Sequence, residues 1–374
     1  MKKVSRRSFI HDIGMGIGAS ATLLALPSFI TNPLLNKKAD PGKKLNVALC
    51  GLGNYATYHL APGIIDSKYC RLAGIITGSE IKAKEWSTKY NIPDKNIYNY
   101  NNFDTISSNK DIDLVYVVLP NSMHKEFVIR SANAGKHVIT EKPMAISAMD
   151  CEEMIAACKK AGVQLAVGYR LHYDPYNLEI KRFGQQKIFG QVRLIESSFG
   201  FKIGDPSQWR LKKKMAGGGP LMDVGIYCVN STRYVLGEEP SSVTAEFGPI
   251  SDPLLFSEVE ESIRWQFDFP GGAISNSTST YRSNIERFYA TADNGFFVMS
   301  PAFSYSAYKG RSSKGEMYFA PINQQAAQMD GIAKIILEKK NLPVHITGEE
   351  GLKDIRIMNA IYEAASTGKK VYLK

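Results

Sequence analysis

The chain has 374 residues, enough for two domains of ordinary size. With 44% hydrophobic and 22% charged residues the composition is globular, and no apolar run reaches the ~18–20 residues of a membrane-spanning helix. The net charge of +10 is scattered, without a basic stripe or an aromatic-interleaved patch, which points to a mild preference for anionic ligands and away from a nucleic-acid surface.

Residues 1–30 read as an address. Ser5-Arg6-Arg7-Ser8-Phe9-Ile10 sets paired arginines ahead of a mild apolar stretch, Ile13 to Leu26, the form of a twin-arginine signal peptide. This implies a passage through the twin-arginine translocase and a periplasmic enzyme. That route carries folded proteins, and the periplasm has no ready pool of free nicotinamide cofactor, so a cofactor that stays bound is expected. Residues 31–44 are polar and contain Pro33 and Pro41, as an arm or linker does. The five cysteines show no C-x-x-C and no metal spacing, and no metal is expected. Cys151 and Cys158 fall about 10 Å apart along a helix, too far for a disulfide, so buried free thiols are expected.

Residues 45–168 read as a dinucleotide-binding domain. Leu45–Cys50 is a short apolar strand, Gly51, Gly53 and Ala56 complete G-x-G-x-x-A, and a helix follows. The first glycine permits a tight turn, the second lets backbone approach a pyrophosphate, and the small third residue lets helix and strand pack. The helix N-terminus then faces the phosphates. Gly51, Leu52, Gly53, Asn54 and Tyr55 are the candidate contacts. Further strands are read in CRLAGIIT, DIDLVYVVLP, KHVITEKP and VQLAVGYR. Helices alternate with them, including Ser147–Ala161, which opens with a Ser147-x-x-Asp150 capping box. The expected fold is an α/β Rossmann domain on a parallel sheet. Its second strand ends in Thr77, Gly78, Ser79 and Lys82, where an NAD site places an acid on the ribose 2′-hydroxyl. Hydroxyls and a lysine suit a 2′-phosphate, so NADP is favoured over NAD.

From residue 169 to 374 the pattern changes. QVRLIESSFGF, SSVTAEFGPI, ESIRWQFDF, GAISNSTSTY, RFYATA and GFFVMS read as strands, with hairpin turns at Pro270-Gly271-Gly272 and Asp293-Asn294-Gly295. Helices are expected at Ile322–Lys340 and Gly348–Ser366. The expectation is an α+β domain with a large, mostly antiparallel, open-faced sheet, one face packed on helices and the other free.

Three stretches carry the chemistry: LPNSMH (Leu119–His124), EKPMAI (Glu141–Ile146) and GGGPLMDVGIYC (Gly217–Cys228). In this order they resemble the Gfo/Idh/MocA oxidoreductases, over most of residues 45–374. QWRLKK, TRYVLGEEP and the leader add similarity to the family's glucose–fructose oxidoreductase branch. The resemblance implies that Leu119, Pro120, Asn121 and His124 form a cofactor-contact turn, with Glu141 and Lys142 beside it. It implies that Lys142 lies near the nicotinamide and the reacting carbon, and that Asp223 and Tyr227 point into the same cleft. Many relatives have histidine where this chain has Tyr227; tyrosine is that branch's choice. Trp209 and Arg210 resemble the branch's additional contacts to bound cofactor. The arm at 31–44 resembles one that reaches a neighbouring subunit, and the open sheet face implies a homo-oligomer, a dimer or tetramer. The implied activity is oxidation of an aldose at C1 to a lactone, then reduction of a second sugar with the same tightly bound NADP.

The residues support that chemistry on their own terms. Oxidising a sugar alcohol requires a proton to leave with the hydride, from a carbon held about 3–3.5 Å from the acceptor. Tyr227 supplies an acid/base group, but a phenol near ~10 is a poor base at neutral pH. Lys142 is expected to stabilise its phenolate and to hydrogen-bond the substrate oxygen. Asp223, one turn earlier, is expected to orient a sugar hydroxyl or fix Lys142. The glycines are expected to let backbone pass close under cofactor and substrate. From GYRLHYDPYN, Arg170 is expected at the cofactor and Tyr176 at the substrate, with His172 a further candidate; His124 is expected to cap or line the cofactor cleft. Three alternatives stay open: a dehydrogenase that exchanges NAD(P) each cycle, a nicotinamide-dependent glycosidase, and a non-catalytic sugar or redox sensor.

Overall fold

The computed structural model describes residues 42–305 and 307–373. The expected signal at 1–30, and residues 31–41 of the expected arm, lie outside the described residues.

The first sheet has six strands, all parallel: β1 (Leu45–Cys50), β2 (Cys70–Ile76), β3 (Ile97–Tyr98), β4 (Leu114–Val117), β5 (His137–Thr140) and β6 (Leu165–Val167), in the order β3-β2-β1-β4-β5-β6. Val47, Leu49, Leu114 and Tyr116 enter one core, and Ala48, Cys50, Val115 and Val117 the other. Burial on both faces is why these strands read as continuous apolar runs. The sequence order reverses between β1 and β4, and the crevice outside the strand ends at such a point is where α/β sheets bind ligands.

Helices cover both faces. The chain turns helical at Asn54, passes through a π-turn at Ala56–Leu60, and continues as α1 (Ala61–Asp66). Next come α2 (Glu80–Tyr90), α3 (His124–Asn133) and α4 (Ala148–Ala161). Ser147 caps α4 by accepting from the Asp150 N–H at 3.1 Å. The expected box is half made, because the Asp150 carboxylate turns to Lys125 Nζ at 2.9 Å. Gly162, at φ +67°, ends the helix in the left-handed conformation.

Beyond residue 169 the chain forms α5 (Pro175–Gln185), started by Asp174, which accepts from the N–H groups of Tyr176 and Asn177. Then come β7 (Val192–Gly200), α6 (Lys213–Ala216), and a π-turn at Leu221–Gly225 that runs directly into α7 (Ile226–Leu236). The second sheet adds β8 (Ser242–Phe247), β9 (Ser262–Asp268), β10 (Ile274–Thr280), β11 (Ile285–Ala292), β12 (Gly295–Met299), β13 (Gly310–Ser312), β14 (Gly315–Met317) and β15 (Val371–Tyr372). Its order is β14-β13-β12-β11-β7-β10-β9-β8-β15, antiparallel except for the β7–β10 pair. Ile195, Phe267, Phe288 and Ala290 pack inward, toward α7 and α9 (Gly348–Thr367). Glu196, Arg264, Gln266, Asn276 and Arg287 stand exposed on the opposite face, as the open-faced expectation requires.

One helix crosses back. In α8 (Gln324–Leu337), Met329, Ile332 and Ala333 join the core formed by Val47, Leu49 and Leu114 of the first sheet. The second domain therefore builds one wall of the first, and the two domains hold the cleft between them from both sides. All five cysteines are buried free thiols, as expected.

Candidate active site

A cleft of about 1130 Å³ opens at the ends of the first-sheet strands. One end is built by the glycine turn. Gly51, at φ +104°, lies so close to β4's exit that a Cβ there would stand 2.6 Å from the Val118 carbonyl oxygen, so only glycine fits. Gly53, in contrast, has no heavy atom of the described residues within 4 Å of where its Cβ would be. The helix that follows starts from Gly53, which has no side chain to cap its first N–H groups. An exposed glycine backbone at an uncapped helix start fits a pyrophosphate. Lys82 reaches the same turn from α2, its Nζ donating to the Leu52 carbonyl at 3.1 Å, with Thr77, Gly78 and Ser79 alongside. A lysine and two hydroxyls at the end of β2 fit a 2′-phosphate. Tyr100, which sequence reasoning missed, floors this part of the cleft beneath Gly78.

Leu119, Pro120, Asn121 and His124 all line the cleft, and the structure shows what fixes them. His124 is 1% exposed; Nε2 lies 2.8 Å from the Leu119 carbonyl and Nδ1 3.0 Å from that of Pro143. It thereby staples the Leu119 turn to the Glu-Lys-Pro turn, and burial lowers its basicity. Asn121 donates to the Ala216 carbonyl at 2.8 Å, tying the first domain to the segment just before the glycine tract.

At the far end Lys142, Asp223 and Tyr227 meet. Lys142 Nζ donates to the main-chain oxygen of Asp223 at 2.7 Å, and lies 3.8 Å from its Oδ1 and 4.7 Å from the centre of the Tyr227 ring. The Asp223 carboxylate accepts from Arg210 Nε at 2.8 Å and from the Tyr281 hydroxyl at 3.1 Å. Burial opposes its ionisation, but Arg210, Lys142 and Tyr281 outweigh that and hold the carboxyl below its usual range. Of the two expectations for Asp223, fixing Lys142 is the one the geometry carries, through a main-chain oxygen. Trp209 lines the cleft with Arg210 stacked over its ring at 4.7 Å.

Two cations flank the Tyr227 ring. Lys142 faces the ring and spends a proton on Asp223. Arg170 is the second, its guanidinium carbon 5.1 Å from the ring centre. Arg170 is 2% exposed and donates to the carbonyls of Ser304 and Phe303 and to Gln324, while its Nε has no hydrogen-bond partner among the described residues. Burial raises the Tyr227 phenol above its ordinary value, Arg170 pulls it down, and Glu141 pushes it up again. Glu141 itself accepts from the Tyr116 hydroxyl at 2.6 Å; burial raises its carboxyl.

Three further expectations fail. Tyr176 is not in the cleft: the capped start of α5 turns it away, to pack 5.6 Å from Tyr308 and 4.9 Å from Phe319 between ring centres. His172 does not line the cleft: it is 8% exposed, hydrogen-bonded to Asn230 at 3.0 Å, and lowered to about 3 by burial, so its ring is neutral at neutral pH. The glycine tract does not lie under the cleft either. Gly217, at φ +82°, packs on Ile146, Gly218 on Tyr362 and Gly219 on Glu260. In their place stand residues that sequence reasoning missed. Tyr305, from the second domain, stacks on His59 with ring centres 4.0 Å apart and takes the Arg170 guanidinium over its ring at 4.3 Å. His59 follows Tyr55 by four residues, so helical spacing from the glycine turn was a usable signal. Tyr305 sits in a loop with no pattern to announce it.

Comparisons with known proteins give the family. Residues 45–169 match an oxidoreductase family model with an NAD-binding Rossmann fold, and residues 177–298 match the GFO/IDH/MocA C-terminal domain. The crystal structure of an aldose–aldose oxidoreductase from Caulobacter crescentus is 42% identical, covers 88% of this chain and 100% of its own, and superposes with a TM-score of 0.86. The chain belongs to the Gfo/Idh/MocA oxidoreductase family. A D-xylose 1-dehydrogenase [NADP(+)] of Haloarcula marismortui is 25% identical over 339 residues, 87% of this chain and 92% of that one. A 3-ketoreductase from Actinomadura kijaniata, at 19% identity and a TM-score of 0.75 over 86% of this chain and 98% of its own, shares the fold. As a Gfo/Idh/MocA oxidoreductase the chain is an enzyme, and its Rossmann half and its sheet half each bring part of the site to one cleft.

Proposed function

We propose that this enzyme is an exported NADP-dependent sugar oxidoreductase that keeps its cofactor: it oxidises an aldose at C1 to a lactone and returns the hydride to a second sugar. The observation that carries the reading is the meeting of Lys142, Asp223 and Tyr227 at the end of a cleft whose other end fits a phosphorylated dinucleotide. The aldose–aldose oxidoreductase at 42% identity supports two sugars as substrates, and the NADP-dependent xylose dehydrogenase supports NADP. The paired arginines at Arg6 and Arg7 support export, and export in turn favours a cofactor that is loaded once.

Gly53, Asn54, Tyr55, Thr77, Ser79 and Lys82 would hold the phosphates of NADP, and Leu119, Pro120, Asn121, Glu141, Trp209 and Arg210 would flank the rest. When bound, NADP supplies the hydride acceptor for one sugar and the donor for the next. The protein's own residues manage orientation and the proton. Lys142 donates to the sugar oxygen at the reacting carbon while Asp223 keeps its ammonium in place. Tyr227 takes the hydroxyl proton on its phenolic oxygen in the first half-reaction and gives it back in the second. Arg170 stabilises the deprotonated form and Glu141 the protonated one.

The test is an absorbance scan of purified protein as aldoses and then second sugars are added. The reading expects near-stoichiometric cofactor after purification, a reduced-nicotinamide band near ~340 nm that grows with the aldose, and its decay with the acceptor. Substoichiometric cofactor that must be supplied in each cycle would instead establish the exchanging dehydrogenase.

A further inference from the structure

None of Gly217, Gly218 and Gly219 lines the cleft, yet the tract stands immediately before the helix that carries Asp223 and Tyr227. Two partly buried residues take up the room that Cβ atoms at Gly219 and Gly218 would need: Glu260, in the segment leading to β9, with its main-chain oxygen and carboxylate, and Tyr362, on α9, with its hydroxyl. Glu260 Oε2 accepts from the Gly219 N–H at 2.9 Å. Its Oε1 accepts from the Leu221 N–H at 3.1 Å and from the Tyr362 hydroxyl at 2.9 Å. A helix start leaves N–H groups unpaired, and Pro220 offers no side-chain cap. A carboxylate from another part of the chain fills that role, in the position where the helix dipole favours negative charge.

We propose that Glu260 and Tyr362 form a latch that sets the position of the catalytic helix, and that both are positioning residues acting through Asp223 and Tyr227. The latched peptide is next to the reacting groups. The Gly219 carbonyl accepts from the N–H groups of Met222 at 3.1 Å and Asp223 at 3.3 Å. The Asp223 main-chain oxygen then meets Lys142, and its carboxylate meets Arg210. Displacing the turn moves the Lys142 contact and the Tyr227 hydroxyl together, and a misplacement of about 1 Å is enough to lower a rate about a hundredfold. Gly218 and Gly219 are thus a space for the latch. A side chain at Gly218 or Gly219 would push out the two groups that hold the turn.

The latch rests on Lys142, Asp223 and Tyr227 being the reacting side chains. Its test uses Glu260→Ala, Glu260→Gln and Tyr362→Phe in the full chain, each measured for bound NADP, for the rate at which an added aldose reduces it, and for KM. Bound NADP should match wild type and KM should stay within about threefold. The reduction rate should fall about 10–100-fold in Glu260→Ala, less in Glu260→Gln, which keeps an acceptor, and about 3–10-fold in Tyr362→Phe. A purely structural role lowers the melting temperature and leaves the rate per bound NADP unchanged, and that result overturns the latch. Tyr362→Phe loses one hydroxyl and keeps its ring, so it answers the question even if Glu260→Ala does not fold. Were wild type itself inert toward every aldose, the assigned reaction would fail. Crystal structures of wild type and Tyr362→Phe would then decide the latch: an unmoved contact between Lys142 and the Asp223 oxygen overturns it, and a displaced one upholds it.

Discussion

Tyr227 lies between opposed charges, and removing each should move its proton in an opposite direction. The Arg170 guanidinium is 5.1 Å from the ring centre. At an effective dielectric constant of ~20, a unit charge at that range acts with about 3 kcal/mol, or about two pH units on the phenol. The cleft admits water when no sugar is bound, so a shift of about 1–2 units is expected. Arg170→Met should therefore raise the Tyr227 pKa by about that much. In sugar oxidation Tyr227 must be deprotonated, so the rate rises with pH up to the phenol's pKa. The breakpoint should move up by about 1–2 units, and the rate below it should drop about 10–100-fold. In sugar reduction Tyr227 must carry the proton, so activity should persist about 1–2 units higher in pH than in wild type. Glu141→Gln keeps the shape and removes the charge that pushes the phenol up. It should shift both breakpoints down.

The assay is single-turnover reduction of bound cofactor near ~340 nm across pH, followed by reoxidation with the second sugar. Arg170→Met also strips partners from the carbonyls of Ser304 and Phe303 and from Gln324, each loss costing about 1–3 kcal/mol of stability. Rates must therefore be expressed per bound cofactor. Breakpoints that stay put in both variants, or that move the same way, would refute the assignment of Arg170 and Glu141 as the charges that set Tyr227.

Lys82→Ala should weaken NADP by about tenfold or more while leaving NAD nearly unchanged, measured by displacement titration; equal losses would mean that Lys82 does not read the 2′-phosphate. Tyr305→Ala removes the stack on His59 and the contact with Arg170, and with them the bridge between domains at the cleft. Cofactor release, followed by exchange into excess labelled NADP, should quicken by about tenfold, and an unchanged release rate would show that the bridge does not retain it. Asp223 is held below the usual carboxyl range, so its ionisation contributes stability above its unfolded value of about 4, and that contribution is lost as pH falls through the lower native value. Asp223→Asn should flatten the acid side of a plot of melting temperature against pH; curves that run parallel to wild type would contradict the shift.

The first sheet was legible because both of its faces are buried and because glycine has a geometric duty at Gly51 that shows in sequence as a strand, a turn and a helix. Lys82 was legible by its distance from that turn. The meeting of Lys142 with Asp223 was not: it spans 81 residues, and only the resemblance to a family brought the two together. His172 was misread because Arg170–Tyr173 is a 3-10 turn, whose three-residue period puts His172 on a different side from Arg170. Tyr176 was misread for a related reason, since the Asp174 cap fixes where α5 starts and hence which side Tyr176 takes. The glycine tract was noticed but explained wrongly. Its partners, Glu260 and Tyr362, come from segments 41 and more residues away, and no local pattern names them.

The balance of charge around Tyr227 bears on the proposed two-sugar cycle, in which one enzyme would run a reaction in both directions. A phenol that is strongly acidic makes a good base for oxidising the first sugar and a poor acid for reducing the second; a phenol left high by burial does the reverse. Proton transfer works best when the group's affinity is matched to its task. Here burial and Glu141 raise that affinity while Arg170 lowers it, all on the same side chain. Asp223 does not compete for the proton, because Arg210 and Tyr281 hold its carboxylate ionised. His124 and His172 are buried with their nitrogens engaged or their basicity suppressed. The site therefore concentrates the proton on one oxygen and sets opposing charges beside it, which suits a reaction that must return, in its second half, the proton it removed in its first.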